Sequence, residues 1–309
     1  MQKLLLLLML SFVPAVGFAE PLRVFASVVP IQEFVKQIGG KNVDARAMVR
    51  PGFNPHTYDP TPQQISALAG AVLYVRTGVP FERAWMARIR SANPAMRILD
   101  ARDGIELLEL KAHDHDAHGH EDKHDPQTTH DSQDEYGSYG ADDHGHQEQD
   151  PHVWTSPTLV QHMVGRIRDM LSELAPAHAE EFARNHDAFV AELGVLDAEL
   201  HERLNPLPNR RFMVFHPAWG YFADNYGLAQ VPIEREGKEP GARALATLIG
   251  QAKREKIKVV FVQPQFDRRS AQQVAQAIGG VVIAVDPLAA GYVNNLREVG
   301  RQFAEALQP

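Results

Sequence analysis

The chain predicts an α/β fold made of two lobes, each a parallel sheet covered by helices, joined by a long helical segment. Three observations carry this. Short β-branched and apolar runs alternate with helical stretches from residue 22 to about residue 99. The same alternation returns from Phe212 to the C-terminus. Between the two regions, apolar residues recur at helical spacing over 159–174 and again over 182–204. Strand–helix–strand alternation is the signature of parallel pairing, because parallel neighbours need a crossover that returns along a face of the sheet.

In the first lobe, residues 22–28, 43–49, 72–75 and 96–99 read as strands. A helix ends at Gly39-Gly40, a second begins at Thr61-Pro62, and 81–90 reads as a third. Thr61 can accept from orphan N–H groups of that second helix, and Pro62, with no N–H to lose, suits its first position. In the second lobe, 212–215, 259–262 and 281–285 read as strands, with helices at about 241–255, 268–278 and 290–307. In the connecting region, Leu159, Val160, Met163, Val164, Ile167, Met170, Leu171 and Leu174 share one stripe. Pro176 then breaks the chain. Phe182, Phe189, Leu193, Leu196, Leu200 and Leu204 give the next helix one narrow apolar face, and Asn205-Pro206 stops it. Counted from Pro176, its 29 residues would span about 43 Å at ~1.5 Å per residue, the length of a rigid strut.

The first nineteen residues have the form of an export signal. Lys3 gives a positive start, 4–13 is apolar apart from Ser11, and Gly17-Phe18-Ala19 supplies a small-x-small cleavage site, so processing is expected after Ala19. The apolar run is shorter than the roughly 20 residues that span a bilayer. With no cysteine anywhere, a disulfide framework, a thiolate metal site and a lipid-bearing cysteine are all excluded. A periplasmic, unlipidated protein follows. The expected organisation is a signal peptide at 1–19, an N-terminal α/β lobe at 20–175, a linker helix at 176–206 and a C-terminal α/β lobe at 207–309.

The formal net charge of -8 is unevenly spread. Residues 113–150 hold twelve acidic residues against one lysine, and the remainder of the processed chain is close to balance. Apolar residues nearly vanish in 113–150 and no period survives, so this segment cannot bury enough surface to offset its conformational entropy and reads as disordered. No basic stripe follows a phosphate backbone, which argues against nucleic acid as a partner.

Ligands of open α/β sheets bind outside the carboxyl ends of the strands. His56 lies in the loop after 43–49, stiffened by Pro51, Pro55, Pro60 and Pro62. His216 directly follows 212–215, and Asp286 directly follows 281–285. His152 stands where order is expected to return after the acidic segment. Taken alone, a histidine after a strand is commonly a turn residue, and an Asp before Pro a turn former. Four such residues, two per lobe, make a four-coordinate metal site. Three imidazoles and a carboxylate suit zinc, whereas magnesium and calcium want mainly oxygen. Manganese is less sharply excluded. His162, on a polar helix face with Arg166, Asp169 and Glu173, reads as solvated.

Three segments, Asn54-Pro-His56-Thr-Tyr58-Asp-Pro60, Asp150-Pro-His152-Val-Trp154 and His216-Pro-Ala-Trp-Gly-Tyr-Phe222, together with Gln263-Pro-Gln265-Phe266 and the ending around Asp286, closely resemble the periplasmic zinc-binding proteins of ABC importers, of the ZnuA-like metal-binding solute-binding type. The resemblance covers the chain from about residue 22 to its end. It implies two Rossmann-like lobes joined by a long rigid linker helix, with the metal site between the lobes. It also implies Zn2+ as transported ligand, His56, His152, His216 and Asp286 as ligands, a monomer, and an inner-membrane ABC permease as partner. Manganese-selective members usually carry a carboxylate where His216 stands, so His216 favours zinc. Some zinc members lack a firm fourth protein ligand, and some carry a disulfide that this cysteine-free chain does not.

The acidic segment likewise resembles the charged loop that zinc members often insert. Its His113, His115, His118, His120, His124, His130, His144 and His146 form an auxiliary set that gathers or buffers metal, or else a solvated spacer. His120-Glu121-Asp122-Lys123-His124 matches a zinc-protease motif, but nothing around it would hold the required helix. A zinc hydrolase built on His56, His152 and His216 would need a general base near the metal. Only Asp286 could serve, and then only without ligating. A metal-sequestering protein without a permease shares the same chemistry.

Overall fold

The chain was described from a computed structural model, covering residues 20–110, 149–234 and 239–308. The first sheet contains β1 (Leu22–Ala26), β2 (Val43–Ala47), β3 (Leu73–Arg76) and β4 (Arg97–Asp100) in the order β2-β1-β3-β4. The second contains β5 (Arg211–Val214), β6 (Ala229–Pro232), β7 (Val259–Val262) and β8 (Val281–Ala284) in the order β6-β5-β7-β8. Every pairing is parallel. Both lobes therefore share one strand order. In each, the order reverses beside the lobe's first strand, and the crevice at that switch point is where an open α/β sheet binds its ligand.

The helices are α1 (Val29–Gly39), α2 (Pro62–Ala67), α3 (Pro80–Ala92), α4 (Pro157–Leu174), α5 (Ala179–Leu204), α6 (Gly220–Asn225), α7 (Ala242–Arg254), α8 (Arg269–Ile278) and α9 (Tyr292–Ala306). Thr61 and Gln64 form a capping box on α2: Thr61 Oγ1 accepts from Gln64 N at 3.3 Å and Gln64 Oε1 accepts from Thr61 N at 3.0 Å. Sequence reading missed β6, an edge strand that ends at Pro232, and the six-residue α6. Proline at an edge costs no ladder bond but hides the strand from pattern reading.

The strut is shorter than a continuous helix from Pro176. Pro176–His178 forms a 3-10 turn, and α5 itself has 26 residues. All six residues of its expected apolar face are buried. They pack against α1 and α4 of the first lobe and α9 of the second. One apolar core therefore runs through both lobes along α5, and a smaller one lies between the second sheet, α7 and α8. Among the described residues no helix is long and apolar enough to cross a membrane.

Gly300 marks where the second lobe meets the strut. A Cβ there would stand 2.2 Å from Leu200 Cδ2, and Leu200 is itself fully packed, so it cannot swing aside. Gly300→Val should overpack this contact and lower stability by about 1–3 kcal/mol, read as a fall in the thermal unfolding midpoint. An unchanged midpoint would show that α9 can slide on α5.

Candidate metal centre

His56 is held by its loop. Its backbone N–H donates to Asn54 Oδ1 at 2.9 Å, and Phe81 N donates to Pro55 O at 3.1 Å, which pins the loop to the start of α3. Gln64 gathers both loop ends: its Nε2 donates to Met48 O at 2.7 Å while its Oε1 accepts from the Tyr58 hydroxyl at 2.9 Å. The backbone that carries the imidazole is thus fixed at both ends of its loop.

His152 opens a 3-10 turn, Val153–Thr155. Asp150 Oδ1 accepts its backbone N–H at 2.9 Å and pairs with its ring Nδ1 at 2.6 Å. His216 sits two residues beyond β5. Gln263 clasps its backbone twice, accepting from His216 N at 3.3 Å and donating to His216 O at 2.6 Å. Its Nδ1 faces Glu234 at 3.2 and 3.3 Å, and its ring stacks on Phe266 with centroids 4.8 Å apart. Asp150 and Glu234 are each 2 % exposed.

These supports aim three ring nitrogens at one point. Nε2 of His216 lies 3.1 Å from that of His56 and 3.4 Å from that of His152. The three residues form the group of metal-capable side chains found among the described residues, with ligand atoms all within 4.8 Å of one another. A tetrahedral ion with metal–nitrogen bonds near 2.0–2.1 Å separates its ligands by about 3.3 Å, so the spacing suits such an ion. Nδ1–H donated to a buried carboxylate leaves the Nε2 lone pair facing inward and raises its basicity. A buried carboxylate thus stands behind two of the three imidazoles. The pocket walls are largely apolar and include Val79, Trp154, Ala218, Phe266, Pro287 and Leu288.

Asp286 does not join the group. Its Oδ1 accepts from Gln265 Nε2 at 2.8 Å and from Leu288 N at 2.9 Å, so the carboxylate closes a turn and holds a wall residue. The turn-former reading of Asp-Pro describes what it does here. The eight histidines of 113–150, and the His120–His124 motif, lie outside the described residues. His162 is exposed, with its ring against Asp103 O at 2.9 Å. Sequence reading missed Glu234, which follows the unrecognised β6 and carried no local signal. Asp150 had one, an Asp two residues before a backbone N–H that it caps.

Residues 24–306 match the family described as zinc-uptake complex component A, periplasmic (ZnuA). The chain belongs to this family. It is 28% identical over 268 residues to the zinc-binding protein AdcA of Streptococcus pyogenes, covering 86% of this chain and 50% of AdcA. It is 30% identical over 267 residues to the high-affinity zinc uptake system protein ZnuA of Bacillus subtilis, covering 84% of this chain and 76% of that protein. The chain thus spans about half the length of the AdcA relatives it matches. Its fold superposes on a crystal structure of ZnuA with a TM-score of 0.80 at 37% identity, covering 94% of this chain and 100% of that one. A ZnuA deletion mutant with zinc bound matches equally, at 0.80 and 37%, covering 94% and 99%. These relatives are named for zinc binding or uptake and not as enzymes.

Burial, helped by the neighbouring His216, His152 and Arg83 charges, lowers the His56 pKa from 6.5 to about 3. Burial also lowers His216, outweighing the raising effect of the Glu234 hydrogen bond. Neutral imidazoles are what a metal requires. Between pH 6.5 and about 3 the unfolded chain binds a proton at His56 that the native chain refuses, so metal-free stability falls as pH drops through that window. The unfolding free energy should be lower at pH 5 than at pH 7.5, by roughly 1–2 kcal/mol for this residue, read from denaturant unfolding of the metal-free protein. The difference should shrink in His56→Asn.

The buttressing carboxylates give a second expectation. Asp150→Asn and Glu234→Gln should each weaken metal binding by about 10–100-fold, measured by chelator competition, with the fold retained. Affinities equal to wild type would mean that the imidazoles are oriented by packing alone.

Proposed function

We propose that this chain is the periplasmic solute-binding component of a zinc importer, which captures Zn2+ with His56, His152 and His216 and delivers it to an inner-membrane ABC permease. The observation that carries the reading is the convergence of three Nε2 atoms within 3.1 and 3.4 Å of their neighbour, two of the rings braced by buried carboxylates. His56 and His152 come from one lobe and His216 from the other, so capture and release follow from small changes in how the lobes meet. The relatives' zinc-binding and zinc-uptake names support the choice of ion. So does the donor set, since three nitrogen ligands favour zinc over manganese.

The geometry supports carrying over hydrolysis. The two carboxylates that touch the histidines are committed to Nδ1 positions, which leaves neither to act as a general base on a metal-bound water. Asp286, engaged by Gln265 and Leu288, braces the pocket wall instead of ligating. The first nineteen residues direct export and are removed after Ala19, and segment 113–150 gathers zinc for the central site.

Metal content and competition on residues 20–309, with and without 113–150, test the proposal. One tightly held zinc per chain should survive excess manganese and deletion of the segment. His216→Ala should weaken it by more than about 100-fold, beyond the range of outer-shell partners. Asp286→Asn should cost less than about tenfold, within or below that range. A chain that holds no zinc once 113–150 is removed would refute the three-histidine site.

A further inference from the structure

Helix α9 begins without a cap of its own. Its N-cap is Gly291, at φ 73°, which has no side chain to accept from the first-turn N–H groups. The acceptor comes from the other lobe. Glu33, on α1, takes the N–H of Gly291 on Oε1 at 2.6 Å and that of Tyr292 on Oε2 at 2.8 Å. A carboxylate at the positive end of a 15-residue helix gains charge-assisted hydrogen bonds and a favourable dipole interaction.

The same turn is fixed to the first lobe twice more. The Tyr292 hydroxyl donates to Trp154 O at 2.9 Å, and Trp154 Nε1 donates to Pro287 O at 2.8 Å. One turn further on, Asn295 Nδ2 donates to Asp286 O at 2.8 Å. Residues 286–292 are thus stitched between the start of α9 and Trp154. Pro287, Leu288 and Trp154 are walls of the histidine pocket, and the Trp154 ring lies 5.2 Å from that of His152.

We infer that Glu33 is a positioning residue for metal retention: by capping α9 across the lobes, it holds the 286–288 wall over the three histidines. The inference rests on the three-histidine site proposed above. A release that parted His216 and this wall from His56 and His152 would have to move one lobe against the other. Any such movement stretches the Glu33 contacts, whose two ends belong to different lobes. Glu33 itself lines a separate cleft, with Gln37, Glu192 and Asn294, so replacing it leaves the pocket lining unchanged.

The test follows zinc release from the full chain into an excess of chromogenic chelator, for wild type, Glu33→Gln and Glu33→Ala. Release should be on the order of tenfold faster in Glu33→Ala, as loss of a helix cap implies. It should rise less in Glu33→Gln, which keeps an acceptor oxygen but not the charge, and both variants should still hold one zinc. In the metal-free proteins, the Gly291 and Tyr292 amides should exchange hydrogen faster in Glu33→Ala while those of α5 match wild type. Equal release rates in all three proteins would overturn the inference, and so would exchange accelerated equally along α5, the mark of general loosening. A wild-type chain that holds no zinc defeats the histidine site itself, and is plainly distinct from a zinc-holding chain whose release ignores Glu33.

Discussion

Three imidazole rings that turn their Nε2 atoms toward one another repel once more than one carries a proton. Holding them neutral and aimed inward is the constraint that the rest of the molecule answers. Burial disfavours the protonated form at His56 and His216. Asp150 and Glu234 fix which nitrogen faces the centre. Gln64 and Gln263 immobilise the backbone on either side, one in each lobe. A buried carboxylate is itself costly unless hydrogen-bonded, so the site is stable only as a network, with each charged or polar member satisfied by another.

That network straddles two lobes and needs a frame that sets their spacing. The frame is α5, whose buried face packs on helices of both lobes, reinforced by the close approach of Gly300 to Leu200. On the site side the lobes are joined by directed hydrogen bonds. The Tyr221 hydroxyl donates to Asp150 O at 2.9 Å and Trp154 to Pro287 O. The back of the molecule is thus held by apolar packing, which is insensitive to small rotations. The front is held by polar contacts, which are not.

Much of this frame was legible in the sequence. Strand runs such as 259–262 are buried on both sides and read as continuous apolar stretches, and the strut announced itself through six apolar residues at helical spacing. The three histidines were legible because strand ends are where such sheets bind ligands. What remained hidden depends on three-dimensional neighbours. Glu234 lies 18 residues from the ring it supports, and Glu33 caps a helix 258 residues away. The surroundings of Asp286 were equally hidden, because a carboxylate after a strand looks the same in sequence whether it faces a pocket or closes its own turn. Only the partners Gln265 and Leu288 decide between the two.

The apolar walls around the histidines have a consequence for how an ion enters. Val79, Trp154, Phe266, Pro287 and Leu288 offer no replacement for a hydration shell, so an ion passing along them would lose water before the imidazoles could compensate. Dehydration would then set the barrier at the entrance. Under the proposed role, such a wall would favour ions that exchange water quickly and accept nitrogen readily over tightly hydrated ions such as magnesium, reluctant to lose water.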